Sequence, residues 1–226
     1  MHKNVSKLNN VPSLNPVPGV ILQTGMKPAS PNDTIGFTDI HMSIFRRFLN
    51  QLLPNEDEGL FRRIPLSVPG ELYVSPMPFG AYDPGNQVLK IYRRNKIDHV
   101  FVLVTDAELS RKSRRNLLKK YEEASIQYSR FVLKDWMAPS METVHEMVTA
   151  AKRLLARHRI AVHCHAGVGR TAIAVCCIAI SIEGWTAEEA IANICQFMTI
   201  NITDEQRRFI KKYEKSLEDA PAEDDG

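Results

Sequence analysis

The sequence is poor in cysteine and contains no long apolar run. Its four cysteines do not have the spacing of a disulfide framework: Cys164, Cys176, Cys177 and Cys195. No segment approaches the roughly 18 consecutive apolar residues of a membrane-spanning helix, and the N-terminus lacks the basic-then-apolar layout of a secretory signal. These absences argue against a disulfide-rich secreted scaffold and against a membrane span. They indicate a reducing compartment such as the cytoplasm.

Charge of either sign is modest, but it is unevenly distributed. The net charge is +3, and five acids with no base occupy the end of the chain: Glu218, Asp219, Glu223, Asp224 and Asp225. Without those five acids the net charge is +8. A mildly basic body suits a phosphorylated substrate, although the same charge also serves solubility. We predict no nucleic-acid partner.

The chain divides by composition into three parts. Residues 1–35 are rich in Pro, Asn, Ser and Gly, which predicts a flexible N-terminal arm. Residues 36–217 are long enough for one domain with a substantial core, and they begin with an amphipathic helix from Thr38. Residues 218–226 form an acidic tail that we expect to be disordered.

Strand and helix patterns alternate along the domain. Period-two or continuous apolar runs predict strands at 71–75, 99–104, 126–133 and 160–163. Helical periodicity predicts helices at 88–95, 108–124, 141–157, 171–182, 186–198 and 203–217. This order predicts an α/β fold: a single domain with a central, mostly parallel sheet flanked by helices.

One nine-residue segment joins a buried strand to an almost wholly apolar helix. Residues 163–171 read His-Cys-His-Ala-Gly-Val-Gly-Arg-Thr. Open α/β sheets bind ligands at the carboxyl ends of their strands, and helix amino ends attract anions. Glycines in such a loop allow successive N–H groups to turn inward around an anion. We therefore expect a phosphate-binding loop made of His165, Ala166, Gly167, Val168 and Gly169.

The residues that flank this loop supply a nucleophile and a cation. A helix amino end and a nearby arginine stabilise a thiolate, which identifies Cys164 as a candidate nucleophile. Arg170 carries a permanent charge on a planar fork that fits two phosphate oxygens. The hydroxyl of Thr171 is positioned to donate to the Cys164 sulfur and ease departure of the thiolate.

A metal site in the same segment is disfavoured. His163, Cys164 and His165 are consecutive on an extended chain, so their side chains point in alternating directions and do not face one ion. The nucleophile, the cation and the acid considered below are all side chains. We predict no metal and no cofactor.

The segment resembles the signature of the protein tyrosine phosphatase superfamily, which reads His-Cys, five residues, Arg, then Ser or Thr. Every defining position of that signature is filled here. The resemblance implies a protein tyrosine phosphatase-like fold and hydrolysis of phosphate monoesters through a phosphocysteine intermediate. It also implies that His163 orients the loop and tunes the thiolate, although a plain core histidine is an equal interpretation.

Hydrolysis of a phosphate ester requires a group that protonates the leaving oxygen. The resemblance implies an aspartate on a mobile loop upstream of the cysteine, and Asp135 fits, because it follows a strand and precedes Pro139 by four residues. The rival is Asp106, but Thr105 and Asp106 look like helix caps. Gln206 resembles a glutamine that places the attacking water in larger members of the family; a solvent-facing helix residue is the alternative.

The resemblance favours the compact dual-specificity branch, because the chain has no obvious match to the Asn-Arg-Tyr loop of tyrosine-specific members. It implies a phosphorylated protein as substrate. An inositol phosphate or phosphoinositide phosphatase stays open, since related inositol polyphosphatases share a loop ending Ala-Gly-Val-Gly-Arg-Thr, although this loop contains no lysine. An inactive phospho-binding module is a third possibility, but Cys164, Arg170 and Asp135 are all present.

Overall fold

The computed structural model of the protein describes residues 59–219. The predicted arm at residues 1–35 and the amphipathic helix predicted from Thr38 lie outside the described residues, as do residues 220–226 of the predicted tail.

Five strands form one sheet in the order β1-β2-β5-β3-β4. Their bounds are β1 Arg62–Ile64, β2 Glu71–Ser75, β3 His99–Val102, β4 Gln127–Arg130 and β5 Arg159–His163. The β1–β2 pair is antiparallel and the other three pairs are parallel. The central strand β5 ends at His163, which lies opposite Ser75 of β2 and Val102 of β3. Three parallel strands therefore end side by side where the nine-residue segment begins.

Helices fill the connections between the strands. Within residues 59–219 they are α1 Val88–Arg94, α2 Asp106–Lys112, α3 Leu117–Glu123, α4 Met141–Leu155, α5 Arg170–Glu183, α6 Ala187–Ile194 and α7 Asp204–Glu218. The alternation confirms the predicted α/β class with a mostly parallel sheet. Helix α7 ends at Glu218, one residue inside the segment predicted as the acidic tail.

The single helix predicted over 108–124 is wrong, because two short helices, α2 and α3, replace it. Ser113 is extended, with φ −93° and ψ 131°, and the backbone N–H of Arg114 donates to the carbonyl of Phe79 at 3.0 Å. Asn116 then caps α3 by accepting a hydrogen bond from the N–H of Lys119. A contact to a distant segment and a local cap therefore outweigh the continuous helical periodicity.

Other differences from the sequence prediction are small. The strands predicted at 99–104 and 126–133 end earlier, at Val102 and Arg130, although Leu133 N–H still donates to Leu103 O at 3.0 Å. Strand β1 has three residues and was not predicted.

The core is built around α5, which is buried from Arg170 through Ile180. This helix packs against α4, α6 and α7 and against strand β5. Each fully buried aliphatic side chain contributes about 1.5–3 kcal/mol relative to exposure. The segment between β5 and α5 is thus held at both ends by the most buried elements of the described structure.

Within residues 59–219, no single helix is long and apolar enough to cross a membrane. The pair formed by α5 and α6, bent by 117°, reaches the required length and composition only when the two are taken together.

Candidate active site

The loop at residues 164–169 is held against two neighbouring segments by its own backbone. On one side, the N–H of Met77 donates to the carbonyl of His165 at 3.1 Å. On the other, the N–H of Asn201 donates to the carbonyl of Val168 at 2.9 Å. These two hydrogen bonds hold the loop between the neighbouring segments.

Both glycines of the loop are required by close approach. Gly167 has φ +81°, and a Cβ on it would lie 2.6 Å from the carbonyl oxygen of Ser75. A Cβ on Gly169 would lie 3.0 Å from the carbonyl oxygen of Asn201. Only glycine allows the left-handed turn at 167 and the contact with β2 at once.

Cys164 is buried at the base of this loop, with 3% of its surface exposed. The N–H of Gly167 points inward and donates to Cys164 Sγ at 3.3 Å. The side chains around it, those of His165, Ala166 and Val168, are partly exposed. The loop thus holds a buried sulfur in contact with the backbone N–H of Gly167.

Arg170 is 2% exposed and is held by two partners that are distant in sequence. Its Nη1 and Nη2 donate to the two carboxylate oxygens of Glu108 at 2.8 and 2.9 Å, and Nη1 also donates to the carbonyl of Leu133 at 3.2 Å. A guanidinium has five N–H donors. The two that remain, one on Nε and one on Nη2, lie on the same edge of the fork.

Glu108 is the residue that sequence reasoning missed. Burial alone would raise its pKa, but hydrogen bonds from Arg170 and Lys112 outweigh that effect and bring the pKa to about 2. Glu108 is therefore ionised at neutral pH. The pattern Thr105-x-x-Glu108 signals a capping box, which the structure contains, but it does not signal a partner 62 residues away.

His163 is completely buried and is neutral at pH 7. Burial and the nearby charge of Arg170 lower its pKa to about 4, despite an opposing hydrogen bond with the Cys164 backbone. Its Nδ1 lies 3.0 Å from the carbonyl of Cys164, so Nδ1 must donate. Its Nε2 then accepts from the hydroxyl of Tyr121 at 2.8 Å. The two bonds fix the ring and hold the backbone where β5 meets the loop.

Asp135, the predicted catalytic acid, lies beside Arg170. Its Oδ1 is 3.3 Å from Arg170 Nε, but this nitrogen forms no hydrogen bond within the described residues. Its Oδ2 is 3.8 Å from Lys112 Nζ, and 45% of the side chain is exposed. The rival Asp106 instead pairs with Arg130 and is 86% exposed.

Gln206 is 2% exposed, so the solvent-facing alternative is wrong. Its Oε1 accepts from the N–H of Thr203 at 3.0 Å in the capping box of α7. Its Nε2 donates to the carbonyl of Met137 at 3.1 Å. Gln206 therefore holds the loop that carries Asp135, and its role in placing water stays a prediction.

The hydrogen bond predicted from Thr171 to the Cys164 sulfur is not formed. Thr171 Oγ1 is buried and has no hydrogen-bond partner among residues 59–219.

The rim of the loop is aromatic on one side, because the Tyr82 ring meets the His165 ring edge-on, with 5.1 Å between the ring centroids. Burial lowers the pKa of His165.

Comparison with known proteins agrees with this geometry. The family described as "Polymorphic toxin system, DSP-PTPase phosphatase" matches residues 80–184. Protein tyrosine phosphatase domain-containing protein 1 of Bos taurus is 35% identical over 75 residues, which are 33% of this chain and 9% of that protein. Tyrosine-protein phosphatase CDC14 of Saccharomyces cerevisiae is 32% identical over 109 residues, 48% of this chain and 18% of that protein. The chain thus spans a small part of these relatives' length.

Solved structures share the fold. A kinase associated phosphatase superposes with a TM-score of 0.60 at 19% identity, covering 67% of this chain and 89% of that one. PTPMT1, in a complex with PI(5)P, superposes with a TM-score of 0.56 at 21% identity, covering 65% and 92%. The solved structures show the shared fold, and the family model and the curated relatives make the chain similar, over part of its length, to dual-specificity-like members of the protein tyrosine phosphatase superfamily.

Proposed function

We propose that this chain hydrolyses phosphate monoesters through a phosphocysteine at Cys164. The observation that carries the proposal is the state of Arg170, whose side chain is buried and anchored by Glu108 but keeps two N–H donors on one edge. That edge fits two oxygens of a phosphate group bidentately. The inward N–H of Gly167 shows that the loop backbone already faces the sulfur.

The proposed reaction has two steps. The Cys164 thiolate attacks phosphorus, an S–P bond forms, the ester P–O bond breaks, and Asp135 gives its proton to the leaving oxygen. A water molecule then attacks phosphorus, the S–P bond breaks, and the Asp135 carboxylate accepts the proton from water. Inorganic phosphate and the thiolate result. Each step uses a nucleophile and an acid–base group that the site supplies.

The contact between Asp135 and Arg170 suggests how the acid is released. Asp135 Oδ1 lies 3.3 Å from Arg170 Nε. A phosphate dianion on the same edge of the guanidinium competes for this nitrogen and displaces the Asp135 side chain, which acts as an acid in its protonated form. Because Asp135 is on an exposed loop, we expect it to turn toward the leaving oxygen when substrate binds.

A phosphorylated protein is the substrate class that the rim supports best. Exposed apolar side chains lie on the segments that border the loop and carry Asp135: Tyr82, Val132, Trp136 and Met137. Apolar surface beside a phosphate site suits the side chains that flank a phosphoresidue. We propose that the protein dephosphorylates phosphotyrosine, or both phosphotyrosine and phosphoserine or phosphothreonine. We propose that it does so in a reducing compartment. A phosphoinositide is the second candidate, because the similar PTPMT1 structure is a complex with PI(5)P.

A substrate panel tests this function. Wild-type protein and Cys164→Ser are assayed with an aryl phosphate, with phosphotyrosine, phosphoserine and phosphothreonine peptides, with phosphoinositides and with inositol polyphosphates. We expect phosphate release from the aryl phosphate and the phosphotyrosine peptide, and none from the variant. Tight phosphopeptide binding without any release by the wild type would instead identify a binding module and contradict the proposal.

Replacing Asp135 with alanine should lower kcat on a phosphotyrosine peptide by about 100-fold, the usual scale of general acid catalysis. Competitive inhibition by inorganic phosphate should persist, since Arg170 and the loop are unchanged. The matched control is Asp106→Ala, which removes an exposed carboxylate paired with Arg130. Near-normal turnover in Asp135→Ala would remove this residue from the mechanism.

A further inference from the structure

A second basic site lies next to the candidate active site. A cavity of about 370 Å³ opens between α1 and the link from α2 to α3. Its charged lining comes from Lys90, Arg93, Arg115 and Lys120, and its apolar lining from Phe79 and Leu89. Among the described residues, no carboxylate lines it. The size falls within the range of small-molecule sites, about 300–1,000 Å³.

Within the described part of the chain, most of the positive charge in this cavity is not neutralised by an acid. Within residues 59–219, Lys90, Arg93 and Arg115 form no ion pair with an acid, whereas Lys120 pairs with Glu123. The guanidinium of Arg115 lies over the Phe79 ring, 5.7 Å from its centroid. Like charges gathered around one cavity repel one another. An anionic ligand relieves that repulsion, so the charge pattern indicates a ligand that carries negative charge.

The wall of the cavity is rigid. The side chain of Arg114 donates to the carbonyls of Phe79, Gly80 and Asp83 at 3.2, 2.7 and 3.2 Å. The buried carboxylate of Asp83 in turn accepts from the N–H groups of Phe79 and Gln87 at 2.9 and 2.7 Å. Phe79 is held at φ 60°, which is unusual for a bulky residue and occurs where surrounding structure enforces it.

The same segment borders both sites. Met77 donates to the carbonyl of His165 in the loop, and the Tyr82 ring meets the His165 ring. Phe79, which lines the cavity, is two residues from Met77, so their Cα atoms lie within about 7 Å. The segment 77–82 therefore contacts the Cys164 loop and also contributes to the wall of the cavity.

We propose that this cavity binds a second phosphate group of the molecule whose first phosphate enters the Cys164 site; the inference rests on the proposed function. A phosphate monoester carries a charge of about −1.5 to −2 at neutral pH, which the three unpaired cations balance. Arginine and lysine are the side chains that bind such groups. The apolar floor of Phe79 and Leu89 accommodates the carbon skeleton of a phosphoresidue, which favours a doubly phosphorylated peptide over a free inositol polyphosphate.

The test compares KM for singly and doubly phosphorylated peptides of the same sequence, with the second phosphoresidue placed two to five positions from the hydrolysed one. We expect the best doubly phosphorylated peptide to have a KM about 10-fold lower, since hydrogen bonds to charged groups are stronger than those between neutral groups. Lys90→Glu should remove most of this advantage. The matched control, Lys152→Glu, reverses the charge of an exposed lysine on α4 and should leave it unchanged.

Two further measurements separate this inference from the proposed function. Turnover of a small aryl phosphate should be the same in wild type, Lys90→Glu and Lys152→Glu, because that substrate has no second phosphate. If the wild type releases nothing from it, the proposed function fails, and calorimetric binding of both peptides to Cys164→Ser then tests the cavity. If Lys90→Glu raised the KM only for inositol polyphosphates, the cavity would still be a phosphate site, with an inositol polyphosphate as its ligand. If Lys90→Glu and Lys152→Glu changed the KM of every substrate to the same extent, the inference would be wrong.

Discussion

Cys164→Ser should lower kcat on an aryl phosphate by about four orders of magnitude or more. Removal of the nucleophile from another hydrolase costs about 10⁶-fold, and a serine hydroxyl is a weak nucleophile unless a base activates it. The adjacent imidazole of His163 does not serve as that base, because it donates to the Cys164 carbonyl and accepts from Tyr121. Steady-state kinetics with equal concentrations of folded protein measure the loss.

The control for this prediction is Cys195→Ser. Cys195 follows α6, is exposed, and donates to the carbonyl of Ala192 rather than to any residue of the loop. It should keep normal kcat and KM. Cys164→Ser should unfold at the same temperature as the wild type, since the two side chains are close in size. Substantial turnover by folded Cys164→Ser would rule out a phosphocysteine mechanism.

Glu108→Gln lies outside the loop, but it should lower both the stability of the fold and the activity. It leaves the guanidinium of Arg170 without its buried ionic partner, so that only the exposed Asp135 remains beside it. Breaking a buried ion pair in this way costs about 3–5 kcal/mol. The free energy of unfolding in urea should fall by about that amount. The value of kcat/KM should also fall, because Arg170 is no longer fixed beside the loop.

An exposed ion pair provides the comparison for Glu108. Glu123 pairs with Lys120 at the end of α3, where its side chain is 46% exposed. Glu123→Gln should change the free energy of unfolding far less than Glu108→Gln, because exposed ion pairs contribute little to stability. Equal losses in Glu108→Gln and Glu123→Gln would show that the buried pair has no special role.

The same pair predicts a pH dependence. The pKa of Glu108 is about 2 in the folded protein, against an ordinary value of 4.5. Between these values the unfolded chain binds more protons, so stability rises with pH. The contribution is fully present above pH 4.5 and is lost as pH falls toward 2. The difference in unfolding free energy between wild type and Glu108→Gln should therefore be larger at pH 7 than at pH 3. If the difference in unfolding free energy between the two proteins did not change with pH, this prediction would be wrong.

The loop itself was predictable because its information is local. Cys164, the glycines and Arg170 lie within seven consecutive residues, between a strand and a helix whose apolar patterns are unambiguous. Asp135 was predicted for a similar reason, since its spacing to Pro139 and its place after a strand are visible in the sequence.

What the sequence did not reveal depends on contacts between distant segments. Glu108 looks like an ordinary capping residue until Arg170 is brought beside it. The sequence did not reveal where α2 ends, because that end depends on hydrogen bonds from Arg114 to carbonyls more than 30 residues earlier in the chain. The burial of Gln206 likewise follows from the packing of α7 against the segment that contains Met137.

The anchoring of Arg170 also determines when the site forms during folding. Its partners Glu108 and Leu133 lie 62 and 37 residues before it, so three separate parts of the chain must dock before the guanidinium is fixed. Contacts of such long sequence separation form slowly, because the loop-closure entropy must be overcome first. We therefore expect the proposed activity to return late in refolding, so that its recovery reports completion of the tertiary structure rather than the earlier appearance of helices.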